Sequence, residues 1–285
     1  MDIQQVVSVR NMRLSDAHTI AEHTTSAELM YRAAQGIYDA VQFTGRVAIV
    51  CGKGNNGGDG YALACILCKN GITPTIFRVS DKFSKDGLYY YKTALSLGAE
   101  ESSISVPSPF TGYDIIVDCL LGTGFSGEVQ GEIRTAIELI NSSDSYVISA
   151  DINSGINGDT GIADIAVNSD LTVSIGAYKT GMFLNDAPYY IEKMINSDIG
   201  IHILEEEYKL IDYSHLHFFE GYNSEVMTTE QFFEKYGYSP ENCNIAECVA
   251  ELSKAQRKTI VVKTEHSAVI ADLKYVYFCA DYVNF

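Results

Sequence analysis

The apolar, β-branched run Val47–Val50 leads into Cys51-Gly52-Lys53-Gly54-Asn55-Asn56-Gly57-Gly58-Asp59-Gly60, and a stretch of helical character follows, Tyr61 to Lys69. Strand, glycine-rich turn and helix in this order point backbone N–H groups at an anion on the helix N-terminus. Five glycines in the nine positions 52–60 let the backbone approach a ligand and take positive φ without penalty. A plain phosphate cradle needs only backbone. Here Asn55, Asn56 and Asp59 add side-chain donors and acceptors.

The pattern repeats. Asp114–Cys119 is a short apolar run leading into Leu120-Leu121-Gly122-Thr123-Gly124-Phe125-Ser126-Gly127-Glu128, then a helix to about Asn141. Tyr146–Ala150 is another strand, followed by Asp151-Ile152-Asn153-Ser154-Gly155. Thr73–Val79, Leu171–Gly176 and Ile199–Leu204 read as further strands, and Tyr61–Asn70 and Ser84–Leu97 as helices ended by Gly71 and Gly98. This alternation predicts an α/β fold: a doubly wound, Rossmann-like, mostly parallel sheet with helices on both faces. Three loops then leave carboxyl ends of strands, the edge where such sheets bind ligands. Residues 1–42 read as helical, with Ser15-Asp16 capping a helix through His23 and Ser26 opening another.

From about Glu205 the character changes. Helices are expected at Thr228–Tyr236 and Ala246–Leu252, and a meander of strands at Thr259–Lys263, Ala268–Asp272 and Tyr275–Cys279. The expected division is residues 1–210 as the main domain and 211–285 as a small α+β extension.

A formal net charge of −17 speaks against a nucleic-acid surface, which needs clustered Lys and Arg. No run approaches the length of a membrane helix, and Met1–Arg13 lacks a signal-peptide core. Seven cysteines without framework spacing suit free thiols in a reducing compartment, so the cytoplasm is expected.

Gly52 to Gly57 satisfies G-x-G-x-x-G, but Asp59 would compete with a pyrophosphate for the helix N–H groups, which disfavours an ordinary hydride-transfer enzyme. The expected acidic residue about 20 positions on is replaced by Phe77-Arg78-Val79-Ser80-Asp81, where the arginine could favour a 2′-phosphate. Plainer readings stay open beside the functional ones: Asp59 as a helix N-cap, Asp118 as a turn carboxylate, Asp151 as the start of an Asx-turn. Cys65 and Cys68 read as helix packing, His215 and His217 as surface or packed residues, and Lys179 as a solvated turn lysine.

Gly54-Asn55-Asn56-Gly57-Gly58-Asp59-Gly60, Asp118 with Gly122-Thr123-Gly124, and Asp151-Ile152-Asn153-Ser154-Gly155 with Gly158-Asp159-Thr160-Gly161 occur in an order and spacing that resemble the NAD(P)H-hydrate epimerase family, the YjeF N-terminal domain. Met12-Arg13, Asp16, Leu29-Met30 and Arg32-Ala33 match its N-terminal helices, and Lys179-Thr180-Gly181 its Lys-x-Gly turn. The likeness covers roughly residues 9–204. It implies an enzyme that interconverts the R and S epimers of hydrated NADH and NADPH, damaged cofactors bearing a ring hydroxyl, next to a separate dehydratase that accepts only the S form.

The resemblance implies substrate binding by Asn55, Asn56, Gly57, Gly58 and Asp59, by Gly122, Thr123, Gly124, Phe125, Ser126, Gly127 and Glu128, and by Asp151. It implies a potassium ion held by Asn56, Asp118 and Ser154; oxygen-only ligands fit a hard cation. Either hydroxide departure to a ring iminium or ring opening to an aldehyde wants a carboxyl group that gives and recovers a proton, with Asp151 and Asp59 the candidates. Three departures stand out: Asn153 where the family usually has proline, Tyr31 where it commonly has glutamate, and Ala34 where it has glycine. Residues from about 225 to 280 weakly resemble pieces of the ADP-dependent dehydratase, and the chain ends before that enzyme's catalytic G-x-G-D loop, so no dehydratase activity is expected. The competing expectation is a non-catalytic nucleotide-binding or dimerising scaffold of the same fold. A homodimer is the default assembly.

Overall fold

The computed structural model describes residues 4–221, 223–239 and 243–283. In chain order the elements are β1 (Gln5–Val7), α1 (Val9–Glu22), α2 (Ser26–Ala40), β2 (Val47–Cys51), α3 (Asn55–Lys69), β3 (Thr75–Arg78), α4 (Lys85–Ser96), β4 (Glu100–Ser102) and β5 (Ile115–Cys119). They continue as α5 (Gly131–Asn141), β6 (Tyr146–Ala150), β7 (Leu171–Ile175), β8 (Tyr178–Lys179), β9 (Met194–Ser197), β10 (Tyr208–Leu210), β11 (Ser224–Thr228), α6 (Thr229–Tyr236), α7 (Ile245–Gln256), β12 (Thr259–Lys263), β13 (Ser267–Ala271) and β14 (Val276–Ala280).

One sheet runs β4-β3-β2-β5-β6-β7-β9, and every pairing in it is parallel. Its central strands β2, β5 and β7 are buried throughout, which is why they read as short apolar runs. Val47, Ile49 and Cys51 of β2 share a core with α2, α3 and α4, while Ala48 and Val50 share one with α5. Helices therefore cover both faces, as expected. The order reverses between β2 and β5, so the crevice outside their carboxyl ends is the topological switch point.

The second sheet, β11-β12-β13-β14-β10-β1-β8, is mixed. Its β12-β13-β14 meander is antiparallel, but β1 pairs in parallel with β8 and antiparallel with β10. It thus takes β1, β8 and β10 from within residues 1–210 and β11 to β14 from beyond them. α6 and α7 pack on one face around Phe232 and Val249; Leu216 packs with Val261 and Ile270 on the other.

Residues 5–7, expected within a helical stretch, form strand β1 instead, and two further expectations fail. The first helix begins at Val9, capped by Ser8, whose side chain accepts from Asn11 N. Ser15 and Asp16 therefore lie inside it rather than at its start. Asn11, Ser15 and Thr19 form a buried polar stripe at i, i+4, i+8. That stripe explains the second failure, the absence of a strand at 199–204. This segment runs along α1 instead: Thr19 Oγ1 accepts from His202 N (2.9 Å), Ser15 Oγ from Leu204 N (3.0 Å), and Asn11 Nδ2 donates to Glu205 O (2.7 Å). Side chains, not a neighbouring strand, satisfy its backbone.

Candidate active site

The asparagine loop is the first turn of α3 itself. The helix starts at Asn55 rather than Tyr61, with Gly54 as N-cap and no side-chain cap bond. Asp59 is therefore one turn inside the helix and does not cap it. The five glycines also serve differently from expectation, since none of them has a positive φ. Added Cβ atoms would collide with the Leu120 carbonyl at Gly52, the Gly52 carbonyl at Gly57, Met30 at Gly58, and Cys51 and Cys119 at Gly60. Close packing of α3 against β2, β5 and α2 requires these four, whereas a Cβ at Gly54 would meet nothing, and it brings the N-terminus of α3 to the switch point. The unbonded N–H groups of that first turn make it an anion-attracting end.

Beneath the cleft lies Asp118, fully buried at the end of β5. Its carboxylate accepts from Ser154 Oγ (2.6 Å), Ser154 N (2.9 Å), Ser149 Oγ (3.0 Å) and Leu120 N (3.1 Å). Burial pushes this carboxyl above its ordinary range, and the four hydrogen bonds oppose that push. Ser154 Oγ in turn accepts from Leu121 N (2.8 Å), and Asn56 Nδ2 donates to Leu121 O (2.8 Å). Asn56, Leu121, Ser154 and Asp118 so form one connected group. Asn56 Oδ1 has no hydrogen-bond partner among the described residues, although the residue is only 6% exposed.

Asp151 follows β6 in a three-residue turn, closed by Ile152 N to Ala150 O at 2.9 Å, with φ at +67°. A non-glycine residue in this region is uncommon and is held by its surroundings. Here Asp151 Oδ2 accepts from Thr123 N (3.2 Å), and Oδ1 is ion-paired with Lys179 Nζ. Lys179 is 0% exposed, which corrects its reading as a solvated turn lysine. Its ammonium also donates to Ile175 O (3.0 Å) and Ser174 Oγ (3.3 Å).

Asp59 is half-buried, and neither it nor Asp16 on α1 has a side-chain hydrogen bond or ion pair among the described residues. Burial pushes the Asp59 carboxyl well above the carboxylate range; the charges of Asp151 and Asp16 add to this, and Lys179 opposes it. Asp16 is raised as well, by burial first and then by Asp151.

A cleft of about 740 Å³ joins these groups. Of the residues that the resemblance implies, Asn55, Asn56, Asp59, Gly122 to Ser126, Glu128 and Asp151 lie on its walls. Gly57 and Gly58 lie behind that wall as packing residues, Gly127 is not on it, and Asp118 and Ser154 sit under its floor. Missed as site residues were Arg13, Asp16 and Lys53, which also line the cleft. The available signal was the i, i+3 spacing of Arg13 and Asp16, which places both on one face of α1.

The departures from the family pattern settle locally. Asn153 is wholly buried: its Nδ2 faces Val167 O (2.8 Å), Ser169 Oγ (2.9 Å) and Tyr190 O (2.9 Å), and its Oδ1 accepts from Thr172 Oγ1 (2.5 Å). Tyr31 is absent from the cleft wall and packs against the core, with the Lys69 ammonium 5.6 Å from its ring centre. Arg78 is spent on Glu101 (2.5 Å) and Asp81 (3.2 Å) rather than free for a phosphate. Cys65 is a free, buried thiol facing Tyr90 O (3.4 Å), and the His217 ring faces Ser214 O. Among the described residues no group of three or more His, Cys, Asp or Glu is placed to hold a metal ion, and no helix is long and apolar enough to cross a membrane.

The family model described as YjeF-related protein N-terminus matches residues 26–181. The chain belongs to this family. Among curated relatives, an NAD(P)H-hydrate epimerase of Limosilactobacillus fermentum is 30% identical over 68% of this chain and 97% of its own length. One of Pirellula staleyi is 32% identical over 70% and 95%. A bifunctional NAD(P)H-hydrate repair enzyme of Coxiella burnetii is 34% identical over 67% of this chain but only 41% of itself. The chain therefore spans less than half of that relative. The crystal structure of yeast ynu0 superposes with a TM-score of 0.56, at 21% identity, over 62% of this chain and 82% of that one, which supports the YjeF-type fold.

Proposed function

We propose that this chain is an isomerase that epimerises the R and S forms of hydrated NADH and NADPH, in repair of the nicotinamide cofactor. The observation that carries the reading is the pairing of unlike carboxyl groups in one nucleotide-sized cleft: Asp151 ion-paired to buried Lys179, and Asp59 unpartnered and pushed up by burial. Environments that separate two carboxyl groups in this way assign one to hold charge and the other to carry a proton.

Acidic residues outnumber basic ones on the cleft wall, so the substrate's phosphates are best received by Arg13, Lys53 and the N-terminus of α3. That leaves the hydrated ring toward Asp59 and Asp151. Protonated Asp59 gives its proton to the ring hydroxyl; the C–O bond breaks, water departs and the ring nitrogen lone pair closes an iminium. Return of water on the other face, with loss of a proton to a carboxylate, completes the inversion. Asp151 and Lys179 hold the G-T-G loop in place through Thr123 N.

The residues at the floor fit a potassium ion. They offer oxygen ligands, and Asn56 Oδ1 is a buried acceptor with no partner among the described residues. Asn56, Asp118 and Ser154 would hold the ion, which supplies positive charge beneath the loops that receive the substrate. Residues 211–285 are proposed as a non-catalytic extension, expected assemblies are a homodimer and functional coupling to a separate S-specific dehydratase, and the free thiols suit the cytoplasm.

A coupled assay tests the reading. R and S hydrates are mixed with an S-specific dehydratase, and this protein is added. Consumption of the R fraction should become fast; a rate no greater than spontaneous epimerisation would defeat the proposal.

A further inference from the structure

Inverting one carbon by loss and return of water requires a proton to be given on one face of the ring and taken on the other. A single fixed carboxyl group cannot face both sides; two groups on separate elements can. The cleft contains a second candidate. Asp16 lines it from α1, beside Met12, Arg13 and Ile20, while Asp59 lines it from α3.

The buried polar residues of α1, Asn11, Ser15 and Thr19, all bond the segment from His202 to Glu205. Asp16 is half-buried with no side-chain hydrogen bond or ion pair among the described residues, and the same is true of Asp59. Withdrawing unpaired carboxyl groups from water costs stability, and no side-chain hydrogen bond or ion pair among the described residues offsets it. The 94% buried Asn56, whose Oδ1 is likewise unpartnered, lies on the same wall and marks it as built for something other than protein.

We propose that Asp16 is a catalytic residue, the second proton carrier of the epimerisation, acting from α1 while Asp59 acts from α3. This rests on the epimerase reading above. The protonated member of the pair gives its proton to the ring hydroxyl, the C–O bond breaks, and water leaves as the nitrogen lone pair forms the iminium. Water then adds to the other face; its proton passes to the carboxylate of the second member, and the iminium electron pair returns to nitrogen. One turnover moves one proton from one carboxyl group to the other, and a turnover in the opposite sense or exchange with water resets the pair. The charged groups facing them are Arg13 on α1, Lys53 before α3, Asp86 on α4, Glu128 after the G-T-G loop, and Asp151 backed by Lys179.

The test compares wild type, Asp16→Asn and Asp16→Glu in the coupled assay, recording kcat, KM, the pH profile of kcat and the thermal midpoint. Asp16→Asn should lower kcat by about 100-fold or more, the scale of a lost acid–base group, with KM within about threefold of wild type, an unlowered thermal midpoint and one limb of the pH profile gone. Asp16→Glu keeps a carboxyl group and should recover a substantial share of the rate. If wild type accelerates epimerisation and Asp16→Asn keeps kcat within about threefold with an unchanged profile, Asp16 is not catalytic although the epimerase reading stands. Loss of rate in both variants alike, with a lowered midpoint, assigns Asp16 to structure and also overturns the proposal. If wild type itself does not accelerate the reaction, the epimerase reading falls and the role of Asp16 with it.

Discussion

Lys179 and Asp151 meet from different sheets: the lysine is on edge strand β8 of the mixed sheet, and the aspartate follows β6 of the parallel one. Their ion pair is a fastening between the two layers at the site. β8 is held in register by β1, with Val7 opposite Lys179, and β1 runs directly into α1. The mixed sheet that carries β11 to β14 therefore positions both the buried ammonium and the helix bearing Arg13 and Asp16.

Removing one partner should expose the cost of the other's burial. Lys179→Met and Asp151→Asn are each expected to destabilise, the former by about 3–5 kcal/mol because it leaves a carboxylate unpaired. The double variant should lose clearly less than the sum. Urea unfolding of the four proteins gives the coupling, and strict additivity would mean that the pair contributes nothing as a pair.

Asp59 should limit stability while serving activity. Its folded carboxyl is raised above the unfolded value, so the native state holds more protons than the unfolded chain between those two values, and stability falls as pH rises through that window. Asp59→Asn removes the penalty. Its thermal midpoint is expected to match wild type below the ordinary carboxylate range and to exceed it near neutrality by about 2–4 °C, the shift given by ~1 kcal/mol in a large domain, with epimerase activity lost. A midpoint difference that does not change with pH would contradict this origin.

Arg13 and Lys53 should act on binding alone. Alanine at either position is expected to raise KM about tenfold, as loss of a charge-assisted contact does, with kcat nearly unchanged and with weaker dependence of KM on salt. A fall in kcat at constant KM would place these side chains at the reacting ring instead.

Potassium binding has a readout independent of activity. The thermal midpoint should be higher in potassium chloride than in tetramethylammonium chloride, by the equivalent of about 2.7 kcal/mol at a hundred times Kd. Asn56→Ala should abolish the increment. Equal midpoints of wild type in both salts would remove the ion from the floor of the cleft.

Much was legible in the residues themselves. Tyr146–Ala150 and Thr259–Lys263 were expected at the bounds found, because β-branched apolar runs between turn residues have few other uses. The three glycine-bearing loops were placed at strand ends for the same reason. Long-range partnership was not legible. The segment 199–204 has the composition of a strand, yet its backbone bonds the polar stripe of α1, a choice made by residues some 190 positions away. Lys179 likewise reads as a turn lysine until β1 and β8 bury it against Asp151.

Gly52 to Gly60 shows where the division falls. Its order of strand, turn and helix followed from local backbone chemistry, and so did its place at the ligand-binding edge. Which property of glycine mattered did not: the absent Cβ atoms make room for Leu120, Met30 and Cys119, and none of the five uses positive φ. Side-chain type and spacing act over a few residues and so determined the elements. Burial and charge pairing depend on what the folded chain brings alongside, and only that placed Asp16, Asp59, Asp151 and Lys179 around one cleft.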